Sequence, residues 1–234
     1  MLLPKLIWAG LRDMFSQFMM FALLSLSWWF AAVLIIPGPP ATTALMSVAD
    51  PRRLGAAAEF AEALDTLKAS WRRSWGIAFF TIPFLVMLVW NLSFFGGVEG
   101  YFAAMVPLWT IMFILLFIVS LFAFSMAGTM ESGTKNAFRG AMYVLISRPF
   151  MSVFLSIFLL LLAVLMSAMV LPMLLFGPAL IACIVNRVTL SVLGENIVDP
   201  DAPTPERAEE RARGLNPDPG LLSRFRRKPE QKNR

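Results

Sequence analysis

The stretch Ile35-Ile36-Pro37-Gly38-Pro39-Pro40-Ala41-Thr42-Thr43-Ala44-Leu45 decides the fold. It closes a long apolar run, and a second, shorter helix starts directly behind it. Gly38 permits the chain to reverse. Pro39 and Pro40 suit a first helical turn, where a missing N–H costs nothing. A looser copy lies at Phe176-Gly177-Pro178-Ala179-Leu180-Ile181-Ala182. Apolar helices joined by tight Gly-Pro turns form hairpins, and the chain reads as a set of such hairpins in a membrane.

Composition agrees. Of 234 residues, 58% are hydrophobic and 15% are charged, against about 25% charged in a soluble domain. The mean hydropathy is +0.71. Several windows exceed the ~20 apolar residues that cross a ~30 Å hydrocarbon core. The expected class is an all-α integral membrane protein, and the lipid bilayer is its first partner. Cys183 is the one cysteine, which excludes an internal disulfide, and there is no histidine, the commonest general base and metal ligand. The net charge of +5 comes from basic residues flanking the apolar runs, so no nucleic acid is expected as a partner. Met1 to Arg12 lack the short apolar core and small-residue site of a cleaved signal.

In chain order, residues 3–14 form an amphipathic approach, with Lys5, Arg12 and Asp13 polar and Leu6, Ile7, Trp8 and Leu11 apolar. A first span covers about 15–36. Helix 40–49 is too short to cross a normal bilayer and ends at Asp50-Pro51-Arg52-Arg53. Residues 54–75 repeat apolar positions at spacings of three and four, an amphipathic helix suited to the headgroup plane. Spans follow at about 75–95 and 102–127, then a polar-faced approach at 131–148, a span at 149–171, a turn at 172–178 and a sixth helix at 178–193. This predicts about six transmembrane helices arranged as hairpins. The units are 3–50, 54–127 and 133–194, a parallel internal repeat within a membrane domain of residues 1–195. Residues 196–234, rich in Pro and charge, read as a disordered tail. All 20 Lys and Arg fall before the first span, between paired hairpins, at the inner end of the last helix or in the tail. The positive-inside rule therefore predicts that both termini are cytoplasmic.

Three segments carry a family resemblance. Gly38-Pro39-Pro40-Ala41-Thr42-Thr43-Ala44-Leu45 is similar to a Gly/Pro turn followed by small residues and Thr. Phe60 through Leu67 to Trp71-Arg72-Arg73-Ser74-Trp75-Gly76 looks like an aromatic-spaced basic segment entering a span. Ser147-Arg148-Pro149-Phe150 looks like a basic-Pro entry. Together they resemble the YesL-like family of bacterial integral membrane proteins over about residues 5–195. The resemblance implies a multi-pass protein of the bacterial inner membrane. It also implies a protein often encoded near carbohydrate ABC transporters and sugar-degrading enzymes, with carbohydrate ABC transporter subunits as the expected partners, and it carries over no catalytic residue.

The candidate site combines the two Gly-Pro helix starts with nearby polar groups: Gly38, Pro39, Thr42, Thr43, Gly177, Pro178, Asn186 and Arg187. Arg187 lies in an apolar helix, where a charge marks function by default, unless its side chain snorkels to the headgroups. Thr42 and Thr43 either line a site with it or bond back to their own helix carbonyls. Helix N-termini at Pro39 and Pro178 attract anions if they lie inside the bilayer. There is no Ser-His pair, metal-ligand cluster or Gly-rich phosphate loop, so neither an enzyme nor a cofactor is expected. The tail's Arg224-Phe225-Arg226-Arg227-Lys228 suits anionic lipid. Two functions follow as expectations: an accessory to carbohydrate transport docking through 54–75 and 131–148, or an autonomous transporter or channel with its site between the Gly-Pro starts.

Overall fold

A computed structural model of the chain describes residues 3–52, 60–97 and 104–194; the tail and residues 53–59 of the expected amphipathic segment lie outside the described residues. Among those described there are nine α-helices and no strand: α1 (Leu3–Ser16), α2 (Phe18–Val33), α3 (Gly38–Val48), α4 (Phe60–Ala69), α5 (Trp71–Gly96), α6 (Val106–Thr129), α7 (Thr134–Ser147), α8 (Pro149–Ala168) and α9 (Val170–Val192). Prolines stand in the first turns of α3, α6 and α8, where their fixed φ assists helix entry.

Four helices, α5, α6, α8 and α9, are long and apolar enough to cross a membrane; α1 and α2 together make a fifth candidate, bent by 94° between them. The expected first span therefore begins only after that bend, at Phe18. α3 has 11 residues and rises ~16 Å, about half of a hydrocarbon core. Large apolar side chains such as Phe79, Trp90, Phe154, Val164 and Leu165 point outward, as on a surface that meets lipid.

The structure relocates both Gly-Pro turns. The α2–α3 reversal is made at Ile35, whose φ of +62° is left-handed, and Ile36 N–H donates to Leu34 O at 2.6 Å across a γ-turn. Gly38 lies outside the left-handed region and opens α3; a Cβ there would make ordinary contact with Ala32 at 3.6 Å. At the second copy there is no turn at all. α8 ends at Ala168, Met169 forms the break (φ −116°, ψ 89°), and α9 runs from Val170 through Gly177 and Pro178. Helix α2 explains why α9 survives its internal proline. Ala179 N–H donates to Ser25 Oγ at 3.4 Å, and Trp29 Nε1 donates to Met173 O at 3.2 Å. A proline in a membrane helix is tolerated where a neighbour takes up the disturbed backbone groups. The amphipathic segment also differs from expectation: it divides at Ser70 into α4 and the first turns of α5.

α9 is the centre of the bundle. In its most apolar window 72% of the residues are buried, against 22% in α5 and α8, and it packs on α1, α2, α3, α6, α7 and α8. With little hydrophobic drive between helices in lipid, close packing of small residues must hold them together. Gly10 on α1 lies so near α9 that a Cβ would come within 3.1 Å of Ile184 Cα. Gly128 on α6 is tighter still: a Cβ would stand 2.8 Å from Thr43 O and 2.9 Å from Ser47 N on α3.

Candidate functional site

α1 is amphipathic, but its polar assignment needs one correction. Leu6, Ala9, Gly10, Asp13 and Met14 form its buried face, so Asp13 points into the protein while Trp8 points out. The spacing of three and four places Asp13 on the same stripe as Leu6 and Gly10. That stripe runs against the C-terminal half of α9, and there Asp13 meets Arg187.

The two form a bidentate pair. Arg187 Nε donates to Asp13 Oδ2, and Arg187 Nη2 donates to Asp13 Oδ1 at 2.8 Å. Arg187 is 1% exposed and Asp13 6%, so the guanidinium is held inside the protein and does not snorkel outward. Planar fork-to-fork pairing is the geometry in which Arg best tolerates burial.

Asn186, beside Arg187, is equally well used. Its Oδ1 accepts from Ser125 Oγ on α6 at 2.7 Å, and its Nδ2 donates to Met46 O on α3 at 2.7 Å. Its side-chain amide thus ties three helices together. Thr43, one turn before Met46, lies 2.7 Å from Ser74 Oγ on α5. Ser74 Oγ in turn donates to Ser70 O at 2.8 Å. With one proton per hydroxyl, the short distances run Thr43 to Ser74 to Ser70, and the 3.4 Å contact from Thr43 to Pro39 O is the weaker choice.

The remaining site residues gather on α2. Thr42 Oγ1 donates back to Gly38 O at 3.0 Å and accepts from Trp28 Nε1 at 2.9 Å. Trp28 therefore faces α3, while Trp29 serves α9 near Gly177 and Pro178. So Thr43, Asn186 and Arg187 share one polar layer with Asp13, Ser125 and Ser74. Gly38, Pro39 and Thr42 sit by Trp28, and Gly177 and Pro178 sit by Ser25 and Trp29. α2 bridges the two Gly-Pro segments. Pro39 and Pro178 are both buried, the latter inside a helix and not at an N-terminus.

A second ion pair closes the end of α3. Arg52 contacts Asp50 with its backbone N–H (2.9 Å), Nε and Nη2 (2.7 Å), and Nη2 also donates to Thr129 O at the end of α6 at 2.8 Å. A cation at the C-terminal carbonyls of α6 complements that helix's dipole.

Chemically, the layer is occupied by its own members. The groups that a substrate would need are donating to or accepting from one another. Among the described residues no group of three or more His, Cys, Asp or Glu could hold a metal ion. Cys183, one turn before Arg187, is a buried free thiol. The residues missed in the sequence were Asp13, Ser125, Ser74, Ser25 and Trp29. Only Asp13 left a signal, its position on the apolar stripe of α1.

No protein-family model matches the chain, and comparison with curated proteins and with solved structures finds no match.

Proposed function

We propose that the chain is a multi-pass protein of the bacterial inner membrane that serves as an accessory to carbohydrate transport or utilisation. In this reading α2, α3, α5, α6, α8 and α9 enter the bilayer. The short α2–α3 pair enters and leaves as one hairpin, so both termini lie in the cytoplasm, in keeping with the distribution of Lys and Arg. The amphipathic helices α4 and α7 then lie on the cytoplasmic side and dock the partner.

One observation carries this reading over an autonomous transporter. The buried polar layer around Arg187 and Asn186 is satisfied internally, while α4 is turned outward, with Ala63 its one buried residue and Asp65 and Lys68 exposed. Opposite charges exposed on such an outward face give a partner electrostatic complementarity, which sets specificity and register. The resemblance of the turn and basic-entry segments to the YesL-like family supports the carbohydrate context.

The test is purification of the tagged chain from native membranes in mild detergent, with mass spectrometry of its companions. Stoichiometric sugar-transport permease subunits or sugar-degrading enzymes are expected, and Asp65→Lys with Lys68→Glu should release them. A partner-free wild-type protein, or sugar uptake by vesicles containing this chain alone that disappears in Arg187→Ala, would favour the transporter instead.

A further inference from the structure

The three helices α5, α6 and α7 carry Arg72, Arg73, Lys135 and Arg139 and not one carboxylate. Three of the four stand at helix starts, and Arg139 follows one turn later in α7. Arg72 and Arg73 stand in the first turn of α5, and Lys135 stands in the first turn of α7. The two helix starts are fastened together. Thr134 Oγ1 donates to Arg73 O at 3.1 Å. Gly76, one turn further along α5, leaves the space that Thr134 fills, since a Cβ there would stand 2.4 Å from Thr134 Oγ1.

Beside this basic junction lies an apolar groove of about 810 Å³ between α5, α6 and α7. Phe80, Leu115, Val119 and Met142 line its walls, and Thr134 and Lys135 line it where α7 begins. Leu115 and Met142 are exposed, so the groove is continuous with the outer apolar surface of the bundle. One more feature stands at the junction. Arg73 Nε is buried, and no hydrogen-bond partner for it occurs among the described residues. The first N–H groups of α7 precede the first internal bond, from Ala137 to Gly133 O, and add a positive helix end. Glu131, in the link from α6, is the nearest acid in sequence.

We propose that this groove binds an anionic phospholipid, with an acyl chain along Phe80, Leu115 and Met142 and the phosphate at Lys135 and Arg73. A slot continuous with the outer apolar surface of the bundle suits an acyl chain. A mouth of Lys and Arg with no carboxylate on its helices selects a negative headgroup over a zwitterionic one. The site is separate from α4 and from the polar layer around Arg187, and it takes the groove side of α7, the second of the two proposed docking helices.

The test is native mass spectrometry of delipidated protein titrated with phosphatidylglycerol or phosphatidylcholine. The expected result is a single saturable phosphatidylglycerol adduct, at least tenfold tighter than phosphatidylcholine. Arg73→Gln with Lys135→Gln should erase that preference, since each basic residue near a headgroup contributes measurably to the attraction. Leu115→Trp, which fills the groove and leaves the cations in place, should weaken phosphatidylglycerol binding by a similar factor. Equal binding of both lipids by the wild type overturns the proposal. So does a preference that persists in the double variant. Inorganic phosphate displacing the lipid at equal concentration, or Leu115→Trp binding as well as wild type, would reduce the site to a surface anion contact and overturn the groove. Unfolding midpoints of the variants, measured in the same detergent, show that each is folded when tested.

Discussion

Taking away the carboxylate of Asp13 removes the bidentate partner of the buried Arg187 guanidinium. Breaking one side of a buried pair costs ~3–5 kcal/mol, whereas replacing both sides with apolar groups is often neutral. Asp13→Ala should therefore lower the midpoint of heat-induced unfolding in detergent steeply, and Asp13→Leu combined with Arg187→Met should recover most of the loss. A single variant as stable as wild type would show that the pair holds nothing. At this scale the sequence was half legible. Arg187 in an apolar helix announces a need, because an unpaired charge there is disfavoured. Its answer is 174 residues away, and nothing in local spacing links Asp13 to it. The same holds for Asn186, whose partners Ser125 and Met46 O become visible only once α3, α6 and α9 are packed.

Among the elements, the α2–α3 hairpin shows how local signals succeed and fail. The prolines stand in the first turn of α3 as the sequence predicts, because their effect there is confined to their own backbone. The residue that bends is not the one the sequence points to: Gly38 has the freedom, yet Ile35 has the left-handed φ. A β-branched residue in that region is strained by ~1–2 kcal/mol, and Trp75 Nε1 donates to Ile36 O at 3.0 Å from the second turn of α5, fixing the bend. Ile35 is exposed, so Ile35→Gly removes strain without removing packing. It should raise stability by roughly 0.5–1 kcal/mol after the added freedom of the unfolded chain is counted, read as a higher unfolding midpoint. A lower midpoint would mean that the bend is not strained. Gly177-Pro178 failed as a turn for the opposite reason. Its outcome depends on Ser25 and Trp29 of another helix, which no reading of residues 172–178 contains.

For the whole molecule, hydropathy was enough to find α5, α6, α8 and α9, since length and apolarity are properties of each segment alone. What composition could not show was which helix lies innermost: α9 has the lowest mean hydropathy of the four and is the most buried. In a bilayer the outside is as apolar as the inside, so burial follows polar pairing and small residues instead. Orientation is testable with the one native cysteine left in place, because Cys183 is buried and should not react until the protein is denatured. Gly97, at the C-terminus of α5, and Gly133, just before α7, are both exposed, and they flank the two ends of the α5–α6 hairpin in the proposed topology. A membrane-impermeant maleimide should label Gly97→Cys in intact cells and Gly133→Cys only after permeabilisation; the reverse pattern would invert the proposed topology.

The position of α9 also imposes a timetable. Of the described helices it is the last to leave the ribosome, yet it supplies the surface on which α1 and α2 pack. Until it arrives, Asp13 has been made but has no Arg187, Ser25 has no Ala179 N–H, and Met46 O has no Asn186. The earlier helices can enter the membrane one by one, but they cannot settle into their final arrangement. Assembly of the described helices therefore closes only when α9 emerges, and a nascent chain still lacking α9 holds Asp13 apart from its guanidinium.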